Sequence, residues 1–109
     1  MKVRWVVSVP ESWDIIVVFK ILYYLSRKDC RCASIEEIVK NCRMSFATTR
    51  IYIPRLVDKG FVEVRREGRK KNVYLTQKGM EFIIASMRVF SILLINPDEL
   101  LKSSNVHRI

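Results

Sequence analysis

A chain of 109 residues has room for one domain, and with half of those residues apolar it can bury a small core, which excludes a disordered tail. Twenty Lys and Arg stand against eleven Asp and Glu, a formal net charge of +9, and a field that positive attracts polyanions, nucleic acid first. A membrane is the rival partner, but the most apolar stretches, Trp13 to Leu25 and Met80 to Ile95, fall short of the roughly 20 residues a bilayer core requires and carry Lys20 and Arg88 near their middles.

Residues 2 to 9 alternate around Val3, Trp5, Val7 and Val9, a period-two pattern of β-branched residues that predicts a half-buried strand. No cationic start, apolar middle and small-residue cleavage site opens the chain, so a cytoplasmic protein is expected. Pro10-Glu11-Ser12 reads as a helix start, because proline's missing N–H has no partner in a first turn anyway, and it leads into a helix over 12–27. That helix is polar only at Asp14 and Lys20 between Trp13 and Leu25, so it must be covered on more than one side.

Residues 28–33 form a short polar connection with room for a residue or two of strand. They hold Cys30 and Cys32, and with Cys42 the three thiols are too few and too odd for a secreted disulfide framework. Reduced thiols are the plain reading, and a bridge from Cys30 or Cys32 to Cys42 is the alternative in a heat-adapted source, towards which a single Gln among many Ile, Val, Lys and Arg leans. Zinc lacks a fourth ligand, since the one histidine, His107, lies in the polar tail, and no metal or other cofactor is expected.

Ser34-Ile35-Glu36-Glu37 is a capping box that starts a second helix at Ile35, ending near Asn41 or Cys42. Ser45 caps a third helix from Phe46 to Lys59, stopped by Gly60 and expected to bend or lose regularity at Pro54. Two short helices joined by a tight turn make a helix-turn-helix unit. Phe61 to Arg66 and Asn72 to Thr76 flank the polar tip 67–71 as a β-hairpin, and Thr76 caps a last helix running to about Ile95, before Asn96-Pro97. One further helical turn fits Glu99 to Lys102.

Two phrases are more specific than this outline. Ile53-Pro54-Arg55-Leu56-Val57-Asp58-Lys59-Gly60-Phe61-Val62 and Tyr74-Leu75-Thr76-Gln77-Lys78-Gly79 resemble, respectively, the recognition-helix end and the wing-closing phrase of the winged helix-turn-helix family, in particular MarR-like and related archaeal regulators. The likeness spans about residues 34–80 and departs from the pattern at Pro54. It implies one mainly α domain over 1–109 with a small β-hairpin, a DNA-binding core at about 34–80, and long first and last helices that form a dimer interface.

In the half of the third helix that would enter a major groove stand Thr48, Thr49 and Arg50, with Arg55 further along. If Leu56 faces the core, Ile53 and Thr49 share its side, which turns Thr48, Arg50 and Ile51 outward. Arg50 is the first candidate for a base contact, because a guanidinium pairs bidentately with guanine. Ser45 is a cap before it is a phosphate ligand, and Lys40 and Arg43 near the turn suit backbone contacts. The hairpin packs Arg65, Arg66, Arg69, Lys70 and Lys71 against Glu67 alone, a density that a polyanion would neutralise. Strand alternation sends Arg65 and Arg66 to opposite faces. On the last helix, Phe82, Ile83, Val89, Phe90, Leu93 and Leu94 are the expected homodimer contacts.

These features predict a sequence-specific regulator of double-stranded DNA. The alternative is a winged-helix protein-interaction module in a transcription or replication assembly. RNA binding is weaker for want of aromatic stacking platforms, and no catalytic pairing or phosphate loop suggests an enzyme.

Overall fold

The computed structural model describes residues 14–102. The strand expected over 2–9, the helix start at Pro10-Glu11-Ser12 and the tail with His107 lie outside the described residues. Within them run α1 (Ile15–Arg27), β1 (Cys32–Ser34), α2 (Ile35–Asn41), α3 (Phe46–Asp58), β2 (Val62–Glu67), β3 (Lys70–Leu75), α4 (Gln77–Leu93) and α5 (Pro97–Lys102).

Helix α1 begins later than the sequence suggests because Asp14 is its cap: the backbone there is extended, and the carboxylate accepts from the Ile16 amide at 3.0 Å. The Asp14 amide itself donates to the Tyr52 hydroxyl at 2.8 Å, which fixes the start of α1 to α3. As its composition demands, α1 is the central helix. Val18, Phe19, Ile21, Leu22 and Leu25 are buried with Ile38 of α2, Ile53 and Leu56 of α3, and Val62 and Val73 of the sheet. Lys20 is buried among them, and loss of water pushes its ammonium below the ordinary lysine range.

The sheet has a third strand that the sequence barely signals. Short β1 pairs antiparallel with β3, giving the order β1-β3-β2. Just before it, Arg31 takes a left-handed backbone (φ 56°), and its carbonyl accepts from Leu75 at 2.8 Å. Cys30 and Cys32 on either side are joined as a disulfide. Neither three reduced thiols nor a bridge to Cys42 describes this chain: Cys42 lies under α1, its thiol pointing to the Lys20 carbonyl at 3.6 Å and pushed up to about 12 by burial.

Ser34 caps α2 by accepting from the Glu37 amide. The Glu37 carboxylate, held below the usual carboxylate range by bonds from Lys28 and then Tyr24, and more weakly by the Ser34 amide, ties α2 back to α1. Helix α3 runs unbroken through Pro54, so the expected irregularity is confined to one missing backbone donor. Its end is a Schellman motif: Gly60 (φ 83°) donates to Val57 and Phe61 donates to Leu56, both at 2.9 Å. Helix α4 stops before Ile95 by the same geometry, with Leu94 (φ 62°) in the position that glycine usually takes. The chain then folds back through α5 to α1, where Asp98 accepts from Tyr23 at 2.8 Å and Arg27 at 3.1 Å.

Candidate nucleic-acid interface

At about 100° per residue, the positions of α3 sort into three faces. Thr49, Tyr52, Ile53 and Leu56 are buried, and Phe46, Ala47, Arg50, Ile51, Pro54, Val57 and, at the far end, Asp58 form the exposed face. Thr48 and Arg55 sit half-buried on the flank between them.

The hydroxyls at the head of the helix bond locally. Ser45 accepts from the Thr48 amide and donates to the Thr48 hydroxyl, each at 3.0 Å, while Thr49 donates to the Ser45 carbonyl at 2.9 Å. Thr49 is fully buried and does not reach a bound partner, which corrects its place among the contact candidates. Thr48 does not share the Arg50 face, because two residues of helix turn it away by about 200°. Arg55 lies over the Tyr52 ring, 5.4 Å from its centroid, on the half-buried flank. Arg50 is the one basic side chain on the exposed face, lying over Phe46 at 6.0 Å.

The turn before α3 presents a second cation. Arg43 stands in the left-handed conformation (φ 54°) that closes α2, with Met44 donating back to Val39, and this projects it from the tightest point of the helix-turn-helix.

The hairpin turns on two residues, Gly68 and Arg69, since Glu67 pairs with Lys70. Gly68 (φ 66°) fills the first turn position, where a type II′ hairpin requires a positive φ. Lys70 and Lys71, read as tip residues in the sequence, are therefore strand residues, and the register assigns each to a face. Paired residues share a face, so Arg66 and Lys71 extend the face that carries the buried Val62 and Val73, whereas Arg65 and Lys70 lie on the other with Glu63, Glu67, Asn72 and Tyr74.

That outer face neutralises itself. Arg65 bridges Glu63 at 3.3 Å and covers the Tyr74 ring at 4.3 Å, and Glu67 accepts from Tyr74 at 2.7 Å and from Asn72. The Tyr74 and Asn72 bonds hold Glu67 below the usual carboxylate range. Among the described residues, Lys40, Arg43, Arg66, Arg69, Lys70 and Lys71 have no carboxylate partner, whereas Arg27, Lys28 and Arg65 do.

A three-helix unit with a short β1, a two-stranded hairpin and a long following helix is matched in sequence as well as in shape: the profile of the winged helix-turn-helix family covers residues 12–93. The chain belongs to that family. No curated protein matches it by sequence. Among solved structures, this winged helix is similar to Sco5413, a MarR family transcriptional regulator from Streptomyces coelicolor, at 19% identity and a TM-score of 0.66 over 73% of this chain and 62% of that one. It is also similar to Sso10a-2, a DNA-binding protein from Sulfolobus solfataricus, at 18% identity and a TM-score of 0.62, covering 74% of this chain and 81% of that one. The transcriptional regulator BldR, also from Sulfolobus solfataricus, matches at 22% identity and a TM-score of 0.64 over 83% of this chain and 63% of its own. The chain thus spans less than two thirds of Sco5413 and of BldR. Its winged helix fold is one that these two regulators and the DNA-binding protein Sso10a-2 share.

The residues expected to pair two copies of the winged helix divide. Ile83 is buried, Phe82 packs at a tilt on Phe61 (5.3 Å) and Phe90 meets Phe19 edge-on (4.6 Å), so these three serve the chain's own core. Val89, Leu93 and Leu94 are exposed, Leu94 at 91%. The sequence reading passed over Ile84, Met87 and Ile92, which are exposed as well. Their spacing on α4 was the available signal, and with Tyr23, Arg27 and Arg88 they line a groove of about 740 Å³. Among the described residues, no helix is long and apolar enough to cross a membrane and no His, Cys, Asp or Glu cluster could hold a metal ion.

Proposed function

We propose that this winged helix is a sequence-specific, double-stranded-DNA-binding transcriptional regulator that works in the cytoplasm as a homodimer, with α3 in the major groove and the wing on the backbone or in the minor groove. The observation that carries the reading is the run of cations without carboxylate partners among the described residues, from Lys40 and Arg43 at the turn through Arg50 on α3 to Arg66, Arg69 and Lys71 on the wing. Self-repulsion makes such a set costly unless phosphates neutralise it. Residues 34–80 are the DNA-binding core of this reading, and the elements on either side pair two copies. Exposed Ile84, Met87, Val89, Ile92, Leu93 and Leu94 on and after α4 are the apolar area that a two-fold partner would cover. Such a dimer offers two recognition helices to half-sites about one helical turn apart.

The test is fluorescence anisotropy of the purified protein on its own upstream duplex and on an unrelated duplex across a salt series, with sedimentation to count subunits. A steep fall with salt and tighter binding to the first duplex are expected, from a dimer. Weak and equal binding to both would reject the reading in favour of a protein partner for the wing.

A further inference from the structure

The exposed face at the head of α3 leaves few means of reading a base edge. Its three hydroxyls, on Ser45, Thr48 and Thr49, are bonded to one another or to the helix backbone. On the exposed face over the first two turns stand Phe46, Ala47, Arg50 and Ile51, with Phe46 45% and Ile51 51% accessible. That is one hydrogen-bonding group among three apolar ones, on a helix flanked by the cations of the turn and the wing. In the major groove the apolar feature of the four ordinary base pairs is the C5 methyl of thymine. From Phe46 to Ile51 the helix rises about 7.5 Å, the length of about two base-pair steps.

We propose that α3 recognises thymine C5 methyl groups through Phe46, Ala47 and Ile51, on either side of a single guanine read by Arg50. The inference rests on the DNA-binding reading above and deepens it by naming the chemistry of the site. Charge complementarity chooses the occupant: an apolar protein surface docking here would have to accept Arg50 in its centre and Arg43 at its edge, whereas a duplex offers phosphates to both and methyls to the patch between.

The experiment selects preferred duplexes from a random pool with the full chain, then replaces each thymidine of the selected site with deoxyuridine, which removes the methyl and keeps every hydrogen-bonding edge. Loss of each methyl in contact is expected to weaken binding about fourfold, the worth of one buried CH₂-sized group. Ile51→Ala is expected to lower that thymidine-to-deoxyuridine ratio towards one at the positions it covers, while Arg50→Ala leaves the ratio intact and erases the preference for guanine. Because the substitution is made in the DNA, protein folding does not enter the main result. Selected sites whose affinity is indifferent to the methyls would overturn this inference and leave the DNA-binding reading standing. A pool that yields no preferred sequence would overturn both.

Discussion

Helix α3 and the wing handle their polar side chains in opposite ways. At the head of α3 the hydroxyls of Ser45, Thr48 and Thr49 bond one another and the backbone, and the outward face is left apolar around Arg50. In the wing, the two-residue period of the strands separates the charges: Glu63, Arg65, Glu67 and Lys70 share one face and largely cancel, while Arg66 and Lys71 share the other, with Arg69 at the turn. The helix is therefore built to contribute fit and the wing to contribute charge. In a DNA complex these are separable quantities, since phosphate contacts set affinity and salt dependence, and base contacts set discrimination.

The largest effect should come from stripping the wing's uncompensated face. The triple variant Arg66→Ala, Arg69→Ala and Lys71→Ala removes three phosphate neutralisers, so the slope of log K against log salt should fall by about 2.7 and affinity at about 0.1 M salt by about 500-fold. The ratio between preferred and unrelated duplex should stay as it was. A lost preference with an unchanged slope would show that the wing, not α3, reads sequence.

Next comes the joint that holds the two regions together. Alanine favours a helix over glycine by about 1 kcal/mol, which taken alone makes Gly79→Ala in α4 stabilising. A Cβ there would lie 2.3 Å from the Phe61 carbonyl oxygen and 2.6 Å from Leu75 Cδ1, and the first of these is backbone that cannot step aside. Overpacking costs about 1–3 kcal/mol, and with backbone in the way the upper part of that range, about 2–3 kcal/mol, applies here; it outweighs propensity, for an expected net loss of about 1–2 kcal/mol in urea denaturation. An unchanged or raised midpoint would mean that the end of α3 and the start of α4 are not locked together.

A finer cut uses two neighbouring lysines that look equivalent in the sequence. Lys71 lies on the face of Arg66, and Lys70 on the self-neutralising face. Lys71→Ala should lower the salt slope by about 0.9, and Lys70→Ala by clearly less. Equal slopes would show that the strand register does not sort the wing's contacts.

The two phrases that resemble the family's motifs turn out to be halves of this one joint. Thr76 donates to the carbonyls of Gly60 (2.6 Å) and Phe61 (3.0 Å) and caps α4 through the Gly79 amide, and Lys78 reaches the Lys59 carbonyl at 2.8 Å. Local chemistry wrote these features into the sequence: a cap, a glycine beyond a helix end, a close approach. The helix-turn-helix, the hairpin and the opposite facing of Arg65 and Arg66 were legible for the same reason. What the sequence concealed depends on tertiary partners. Asp14 caps α1 with Tyr52 beside it, β1 exists because β3 is there to pair with it, and Phe82 and Phe90 are drawn inward by Phe61 and Phe19. In the site, Thr48 sits on the flank of α3 with its hydroxyl accepting from Ser45, a local bond that residue type alone does not decide.

The smallest expected effect tests whether the wing's outer face is bystander to binding. Glu67 accepts from Tyr74 at 2.7 Å and from Asn72, and these bonds favour its ionised form, lowering its pKa from 4.5. The Tyr74 hydroxyl is raised above 10.0 for the reciprocal reason, its bond to Glu67. For a depressed carboxylate, the network is fully formed above the unfolded value near 4.5 and is lost as pH falls through the lower folded value. The Asn72 side-chain amide and Tyr74 ring resonances should therefore titrate together below pH 4.5, and Glu67→Gln should remove the inflection. At neutral pH the same variant should bind DNA within about twofold of the parent with an unchanged slope, because an exposed charge turned away from the phosphates is screened over about 10 Å. A several-fold gain in affinity would place Glu67 among the phosphates, and with it the face that the strand register assigns to solvent.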